Sequence, residues 1–324
     1  MTTILNALDA LPKPLQEVTA ETDRRKNRLM AILGKGLPTL PTYVMELNAL
    51  LKSQPVDLKK VGKVIRTDPG LSAQVLRVCN SPLFGLRRRV INIEEAAILL
   101  GIERLRTLVL TCSVMQFASK GLPKEQLTAF WQHSFLTALL SERIARQTDY
   151  SEKEQAYLGG LLHDIGQLPL WMLVMEEVEG GRNPPPENWT DNIALEHEYF
   201  GMDHTKVGRW IAVAWNFMPS FFDVFEFHHD IGKASHDPYL VGIVAAADLF
   251  LATQSNAVSP LEDGPHPIDA PVEQIEVPPF LRDCLPSLTE SEYPAMMDML
   301  RTEYIHLLPV VIGVTSATMG ADSL

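Results

Sequence analysis

Apolar residues recur every three or four positions along most of this chain, which is the spacing of one face of an α-helix. Residues 42–53 place Val44, Leu47 and Leu51 on one face in this way, and residues 124–147 form the longest such stretch. No run alternates apolar and polar residues for long enough, between turn-forming residues, to predict a β-sheet. The pattern therefore predicts an all-α protein.

Breaks in this pattern mark the ends of the predicted helices and two longer loops. Helices are predicted within residues 42–53, 56–70, 71–81, 92–101, 102–118, 124–147, 197–217 and 291–314. Residues 179–192 are rich in proline, glycine and asparagine, and residues 255–280 in proline, aspartate and glutamate, so both are predicted to be surface loops.

The order of these segments divides the chain into four predicted parts. Residues 1–35 form an N-terminal arm, whose polar run leaves open a flexible segment or a partner-binding helix. Residues 36–119 form an N-terminal helical part, and residues 120–255 a second helical part with most of the histidines. Residues 256–324 combine an acidic, proline-rich loop with C-terminal helices. We expect the N-terminal helices to form a bundle that packs on the helical core of the second part.

Cysteine usage and hydropathy indicate a cytoplasmic protein. Cys79, Cys112 and Cys284 are far apart, which suits a reducing compartment and disfavours a cysteine-based zinc site. No apolar run approaches the roughly 20 residues of a membrane span. The first residues also lack the apolar segment of a secretory signal. We therefore expect no membrane partner.

The charge of the chain is negative overall but uneven. The net charge of −12 argues against a nucleic-acid partner, because such binding requires neutralisation of phosphates. Residues 1–119 carry 17 Lys and Arg against 10 Asp and Glu, whereas the remainder has a net charge of −19. The two halves could simply attract each other. Alternatively, a basic surface centred on Arg87, Arg88 and Arg89 meets an acidic partner.

Three adjacent arginines also have two local interpretations. The segment after SPLFG is predicted to be a loop, where arginines commonly form a solvated turn. Guanidinium groups also bind carboxylates and phosphates through paired hydrogen bonds. Arg87, Arg88 and Arg89 are therefore candidate residues for docking a phosphorylated or acidic partner.

Several histidines and aspartates lie within apolar helical segments, where an unpaired polar side chain is costly. Asp248, for example, interrupts VGIVAAADLFLA. Any one of them could be a hydrogen-bonded core residue, and a buried aspartate can be satisfied by backbone amides or an arginine. Together, imidazoles and carboxylates suit one or two divalent ions such as Fe, Mn, Zn or Ni. The candidate ligands are His133, His163, Asp164, His204, His228, His229 and Asp248.

The order of these residues resembles a known superfamily. His133, the dipeptide His163-Asp164 and Asp248 follow the His…His-Asp…Asp order of the HD metal-dependent phosphohydrolases. The stretches DPGLSAQVLRVCNSPLFG, YLGGLLHDIGQLPL and EFHH are more closely similar to the HDOD family, the HD-related output domains, over roughly residues 36–255. The resemblance implies an HD-domain-like helical core and a regulatory role in bacterial signal transduction.

The resemblance also implies how the ligands divide between two ions, with Asp164 bridging them. One ion would be held by His133, His163 and Asp248. The other would be held by His204, His228 and His229.

Two departures from the catalytic members bear on activity. The HD-GYP branch commonly has lysine after HDIG, whereas this chain has Gln167. A neutral amide cannot stabilise phosphate charge as a cation does. The Gly-Tyr-Pro segment expected after the paired histidines is absent from HHDIGKASHDPYLVG. Hydrolysis of cyclic di-GMP is therefore not supported.

Two functions stay open at this point. The first is a regulatory module whose surface binds signalling proteins and whose metal serves structure or sensing; both departures favour it. The second is a metal-dependent phosphohydrolase or phosphodiesterase that acts on a small phosphorylated molecule. The complete ligand set favours metal binding under both. Glu196 and His197 are expected at an exposed helix end, with a supporting role behind a metal ligand as the alternative.

Overall fold

The computed structural model of the protein describes residues 13–34, 57–118, 122–186, 189–190, 192–257 and 277–319. These ranges contain α-helices and short 3₁₀ turns but no β-strand, which confirms the all-α prediction. The predicted helix at residues 42–53 and most of the predicted loop at residues 255–280 lie outside them. Within the same ranges, no helix combines the length and the hydropathy that crossing a membrane requires.

The helices before residue 119 are started mainly by side chains that cap them. Asp57 and Asn92 accept backbone N–H groups at the starts of the second and fourth helices, and Asp68 does the same before Pro69 in the third. Asp68 and Pro69 fall at the end of the helix predicted at residues 56–70, but in the structure they start the next helix. The bounds are α1 Lys13–Gly34, α2 Leu58–Ile65, α3 Pro69–Cys79, α4 Ile93–Leu100 and α5 Ile102–Ala118, with a 3₁₀ turn at Pro82–Phe84 after α3.

The helices after residue 120 carry the candidate ligands. The long helix predicted at residues 124–147 has those bounds in the structure. The helix predicted at residues 197–217 is instead two helices, because Gly201 has a φ of +70° and Asp203 caps a new helix. The bounds are α6 Lys124–Gln147, α7 Lys153–Leu162, α8 Gln167–Glu179, α9 Ile193–Phe200, α10 His204–Ala214, α11 Pro219–Phe227, α12 Pro238–Ala257, α13 Pro279–Cys284 and α14 Tyr293–Met319.

Two hydrophobic cores lie side by side. The smaller core is formed by α2 to α5 and buries residues such as Leu71, Val75 and Leu105. The larger core is formed mainly by α6 to α14. Helix α5 contributes to both, since Leu110 belongs to the larger core. This arrangement confirms an N-terminal helical bundle packed on a second helical core.

Helices α1 and α14 attach the two ends of the described chain to this framework. Helix α1 packs on α8 and α9, where Arg24 pairs with the buried carboxylate of Glu177 and Arg25 stacks on the ring of Tyr199. Residues 13–34 are therefore part of the folded body of the protein. Helix α14 packs along α6 and also contacts α3 and the 3₁₀ turn, so it touches both cores.

Candidate metal centre

Seven side chains converge at one place in the larger core, and they are the seven candidate ligands of the sequence. Five helices position them. His133 lies in the middle of α6, and Asp248 lies in α12, which packs against α6. The other five lie at helix ends: His163 and Asp164 after α7, His204 at the start of α10, and His228 and His229 after α11.

The first group consists of His133, His163 and Asp248. The Nε2 atom of His133 lies 3.3 Å from Nε2 of His163 and 3.2 Å from Oδ1 of Asp248. The Nε2 atom of His163 lies 3.7 Å from the same Asp248 oxygen. Two imidazole nitrogens and one carboxylate oxygen therefore surround a single point.

The second group consists of Asp164, His204, His228 and His229. The Nε2 atom of His204 lies 3.4 Å from Nε2 of His228 and 3.2 Å from Nε2 of His229. His204 and His228 are fully buried, whereas His229 is exposed. The second group is thus reached from solvent on the side of His229.

Asp164 connects the two groups through its two carboxylate oxygens. Its Oδ2 atom lies 3.2 Å from Nε2 of His163 and 3.7 Å from Nε2 of His133. Its Oδ1 atom lies 3.5 Å from Nε2 of His204 and 3.4 Å from Nε2 of His228. This Oδ1 atom is buried and accepts no well-formed hydrogen bond from the described residues. An unsatisfied carboxylate oxygen that faces imidazole nitrogens is a site for a cation.

The second nitrogen of three imidazoles is held by an acceptor. The Nδ1 atom of His163 lies 2.8 Å from the carbonyl oxygen of Gly160, and that of His228 lies 2.9 Å from the carbonyl oxygen of Val224. The Nδ1 atom of His204 lies 2.8 Å from the carboxylate of Glu196. Each Nδ1 therefore carries a proton and donates it, so that Nε2 faces the centre and is the nitrogen that a metal would bind. The donor set fits divalent metal ions.

Carboxylates and imidazoles in the centre shift each other's pKa in opposite directions. Burial lowers the pKa of His163, but the Asp164 and Asp248 carboxylates outweigh it and raise this pKa well above its ordinary value. Burial raises the pKa of Asp164, but the neighbouring His163 and His228 outweigh it and lower this pKa well below its ordinary value. Burial and His228 lower the pKa of His229 to about 3. The centre is thus anionic at its carboxylates, and a bound metal would displace the proton of His163.

Glu196 is a buried partner of a candidate ligand, and the expectation of an exposed helix end is wrong for it. Its side chain is fully buried and accepts hydrogen bonds from both the Nδ1 atom and the backbone N–H of His204. The turn between α9 and α10 folds His204 back onto Glu196. The signal in the sequence was that Glu196 precedes His204 by eight residues. This spacing alone does not show whether the Glu196 side chain points to His204 or to solvent.

Gly166 explains how α8 approaches α10 so closely. A Cβ atom at this position would lie 1.9 Å from the carbonyl oxygen of His204 and 2.6 Å from the backbone nitrogen of Gly208. Only glycine allows this contact. The glycine of the HDIG sequence therefore places Asp164 next to the first turn of α10.

Gln167 begins α8 immediately beside the centre. It is 3% exposed, and its backbone N–H donates to the carbonyl oxygen of Asp164 at 2.9 Å. In the described part of the chain, neither Asp164 nor Asp248 forms an ion pair with a lysine or arginine. The position where the resemblance implies a lysine in catalytic members therefore carries a neutral amide.

The three arginines of the sequence analysis are not part of this centre. Arg87, Arg88 and Arg89 lie on the loop between the 3₁₀ turn and α4, next to the smaller core. They line a separate groove with residues of α3.

Comparison with known proteins assigns the fold. The HDOD domain model matches residues 37–231, which is more than half of the chain. A crystal structure of an HDOD domain protein from Geobacter sulfurreducens has a TM-score of 0.67 and 23% identity, covering 91% of this chain and 98% of that one. One from Shewanella amazonensis, provisionally named a phosphohydrolase, has a TM-score of 0.63 and 24% identity, covering 89% and 97%. At these identities the likeness establishes the fold alone.

A relative with a longer chain is also found by sequence. A Treponema pallidum protein is 24% identical over 223 residues, which is 66% of this chain and 42% of that protein. This chain therefore spans less than half the length of that relative.

Proposed function

Because the chain belongs to the HDOD family, we propose that it is a regulatory protein of bacterial signal transduction that acts through contacts with signalling proteins. In this proposal the HD-type centre holds one or two divalent ions, Fe, Mn, Zn or Ni, which fix the arrangement of the surrounding helices. The buried, unpaired cysteines suit a reducing cytoplasm, where we place the protein.

The observation that carries the regulatory role is Gln167. It lies in the turn that follows the bridging carboxylate and is buried, and its side chain is a neutral amide. Stabilisation of a developing phosphate charge by fixed positive groups is commonly the largest catalytic contribution. A centre without that group retains the means to bind metal but lacks a principal means of phosphoryl transfer.

A metal-dependent phosphohydrolase or phosphodiesterase is the second candidate function. The completeness of the two ligand groups, joined by Asp164, supports it. Two divalent ions in such a site would supply Lewis acidity for a small phosphorylated substrate. The chain itself contributes the solvent exposure of His229 and the Glu196 carboxylate that holds His204 in place. The similarity of the fold to the solved structures is compatible with both functions and does not distinguish them.

Metal analysis combined with turnover assays tests the proposal. The purified full chain is assayed with p-nitrophenyl phosphate and bis(p-nitrophenyl) phosphate in Mn²⁺ and Fe²⁺, beside Asp164→Ala. We expect bound metal in the unsubstituted protein, less metal in Asp164→Ala, and no turnover above background in either. Asp149→Asn, which changes a carboxylate that belongs to neither ligand group, serves as the control and is expected to retain its metal.

Two results would contradict this. Turnover that disappears in Asp164→Ala would replace the regulatory role by the enzymatic one. A purified chain that binds no divalent metal, with the fold intact by circular dichroism, would refute the metal centre under both functions.

A further inference from the structure

A groove outside the candidate metal centre is lined by four arginines. It lies between α3 and residues 86–91, the loop before α4, and has a volume of about 790 Å³. Ligand sites in proteins commonly have volumes of about 300–1,000 Å³. The arginines are Arg77, Arg87, Arg88 and Arg89.

Most of the positive charge in this groove is not compensated by the residues that the structure describes. None of its lining residues is acidic. Arg88 pairs with Glu95 of α4, and Arg77 reaches only a backbone carbonyl at 3.5 Å. Arg87 and Arg89 form no ion pair or hydrogen bond with any residue that the structure describes. With respect to the described residues, their guanidinium groups therefore keep their donors for a carboxylate or phosphate.

The loop that carries these arginines is tied to α3 by the side chain of Asn80. The Asn80 amide nitrogen donates to the carbonyl oxygen of Val90 at 2.8 Å, and its amide oxygen accepts from the backbone N–H of Val90 at 2.6 Å. Asn80 also donates to the carbonyl oxygen of Leu76 in α3. The loop is thus tied to α3, and a ligand does not have to order it.

The other lining residues give the groove an aliphatic side. Leu76, Leu86 and Val90 belong to it, and Ile91 at its edge is 74% exposed. None of the lining residues is aromatic, so nothing in the groove offers a platform for stacking a nucleobase. The net charge of −12 also disfavours a long nucleic acid.

We propose that this groove binds an acidic, amphipathic peptide segment of a partner protein. Carboxylates of the segment pair with Arg77, Arg87 and Arg89, and its aliphatic side chains cover Leu76 and Ile91. This inference rests on the proposed regulatory function, since it names the surface through which the protein would contact a partner. The charge of the groove and its aliphatic side together select the partner class.

Selection of peptides on the purified full chain tests the proposal. Short random peptides displayed on phage are selected against the immobilised protein, and a recovered peptide is synthesised with a fluorophore for anisotropy titrations. We expect recovered sequences rich in aspartate and glutamate with interspersed leucine, isoleucine or valine. The double substitution Arg87→Glu with Arg89→Glu is expected to weaken binding by at least about tenfold, and Ile91→Ser by about fivefold.

A control with the same charge change separates the groove from general electrostatics. Lys59 and Lys63 are exposed on α2 and are not groove residues. Lys59→Glu with Lys63→Glu is expected to weaken peptide binding by less than about twofold. Equal weakening in both double variants overturns the proposal, as does recovery of peptides without an acidic bias.

Two further measurements complete the test. Tighter binding of single-stranded DNA or of inorganic pyrophosphate than of the selected peptide would overturn the peptide as the ligand. Metal content is measured on the same variants and is expected to be unchanged. If the groove proposal is wrong, the peptide-binding measurements show it. If the proposed regulatory function is wrong, turnover that depends on Asp164 shows it.

Discussion

At the residue scale, the candidate ligands differ in what holds their second nitrogen. His163 and His228 donate to backbone carbonyls, which no side-chain substitution removes. His204 instead donates to the side chain of Glu196. Of these three imidazoles, only His204 therefore depends on another side chain for its tautomer and orientation.

Glu196→Gln is expected to weaken Mn²⁺ binding by about 10- to 100-fold, the usual cost of losing such a partner. Glutamine has nearly the same size, but its amide nitrogen presents a donor where the carboxylate accepts from His204. Competition against a fluorescent chelator measures the affinity. Glu198→Gln alters an exposed neighbour on the same helix and should leave it unchanged. Equal affinities of the two variants would show that Glu196 does not position His204.

Gly166→Ala is expected to lower the melting temperature by at least about 5 °C, because overpacking at a backbone contact costs about 3 kcal/mol or more. The added Cβ would overlap the carbonyl oxygen of His204. Differential scanning calorimetry measures the change. Gly232→Ala adds the same atom where nothing lies within 4 Å, and it should shift the transition by less than about 1 °C. A tolerated alanine at residue 166 would contradict the packing of α8 on α10.

At the element scale, helix α1 is attached to the body by one buried ionic contact. Glu177 of α8 is 2% exposed and contacts Arg24 and Arg25 of α1. Its neighbour Glu176 pairs with Arg28, but both of those side chains are more than 40% exposed. Exposed pairs contribute about 0–1 kcal/mol, whereas breaking a buried pair costs more. The two adjacent glutamates thus differ in how strongly they hold α1.

Glu177→Gln is expected to increase hydrogen exchange of the α1 amides about tenfold, because local opening of α1 loses the buried contact. Exchange followed by mass spectrometry measures this. Glu176→Gln is the matched control, with an expected increase below about threefold. Equal protection of α1 in both variants would mean that the apolar contacts of α1 alone hold it.

The same contact predicts a pH dependence. Burial raises the pKa of Glu177, but the hydrogen bond and charge of Arg24 outweigh it and lower this pKa. A lowered pKa means that the contact stabilises α1 above the ordinary glutamate pKa of about 4.3 and that this contribution is lost as pH falls further. Exchange of α1 in the unsubstituted protein should therefore approach that of Glu177→Gln below about pH 4. A constant difference would contradict the assignment to Glu177.

Elements with strong periodicity were the most predictable from the sequence. Helices α5 and α6 have the predicted bounds. A long amphipathic stretch between turn-forming residues is compatible with few structures other than a helix of that length. The break between α9 and α10 and the burial of Glu196 were not predicted, because both depend on a tight turn and on tertiary contacts. The place of the histidines and aspartates within apolar helical segments supplied the seven candidate ligands, whereas their division around Asp164 came only with the resemblance. Metal binding by these residues stays a prediction.

At the scale of the whole molecule, the centre joins five helices that are distant along the chain. The ligand groups come from α6, the ends of α7 and α11, the start of α10, and α12. Asp164 faces both groups, so one carboxylate connects all of these helices. A metal held here would therefore stabilise the entire larger core.

Addition of Mn²⁺ to chelator-treated protein is expected to raise the melting temperature by about 5 °C, since a ligand at 100 times its Kd adds about 2.7 kcal/mol. The shift should shrink as pH falls from about 8 to about 6, because protons compete for the imidazoles. Scanning calorimetry measures both effects. Asp164→Asn should show a smaller shift with Mn²⁺, because it removes the carboxylate that faces both ligand groups. An undiminished shift in Asp164→Asn would place the stabilising ion elsewhere.

The contacts of helix α14 also affect the order in which the two cores fold during synthesis. It contacts both cores, and its hydrogen bonds join residues far apart in the chain, such as Gln132 with Thr315 and Arg77 with Thr318. Ribosomes add about 5–20 residues per second, so tens of seconds separate the emergence of α3 from that of α14. We expect the smaller core to fold first, during synthesis. It then packs stably against the larger core only after α14 has been synthesised.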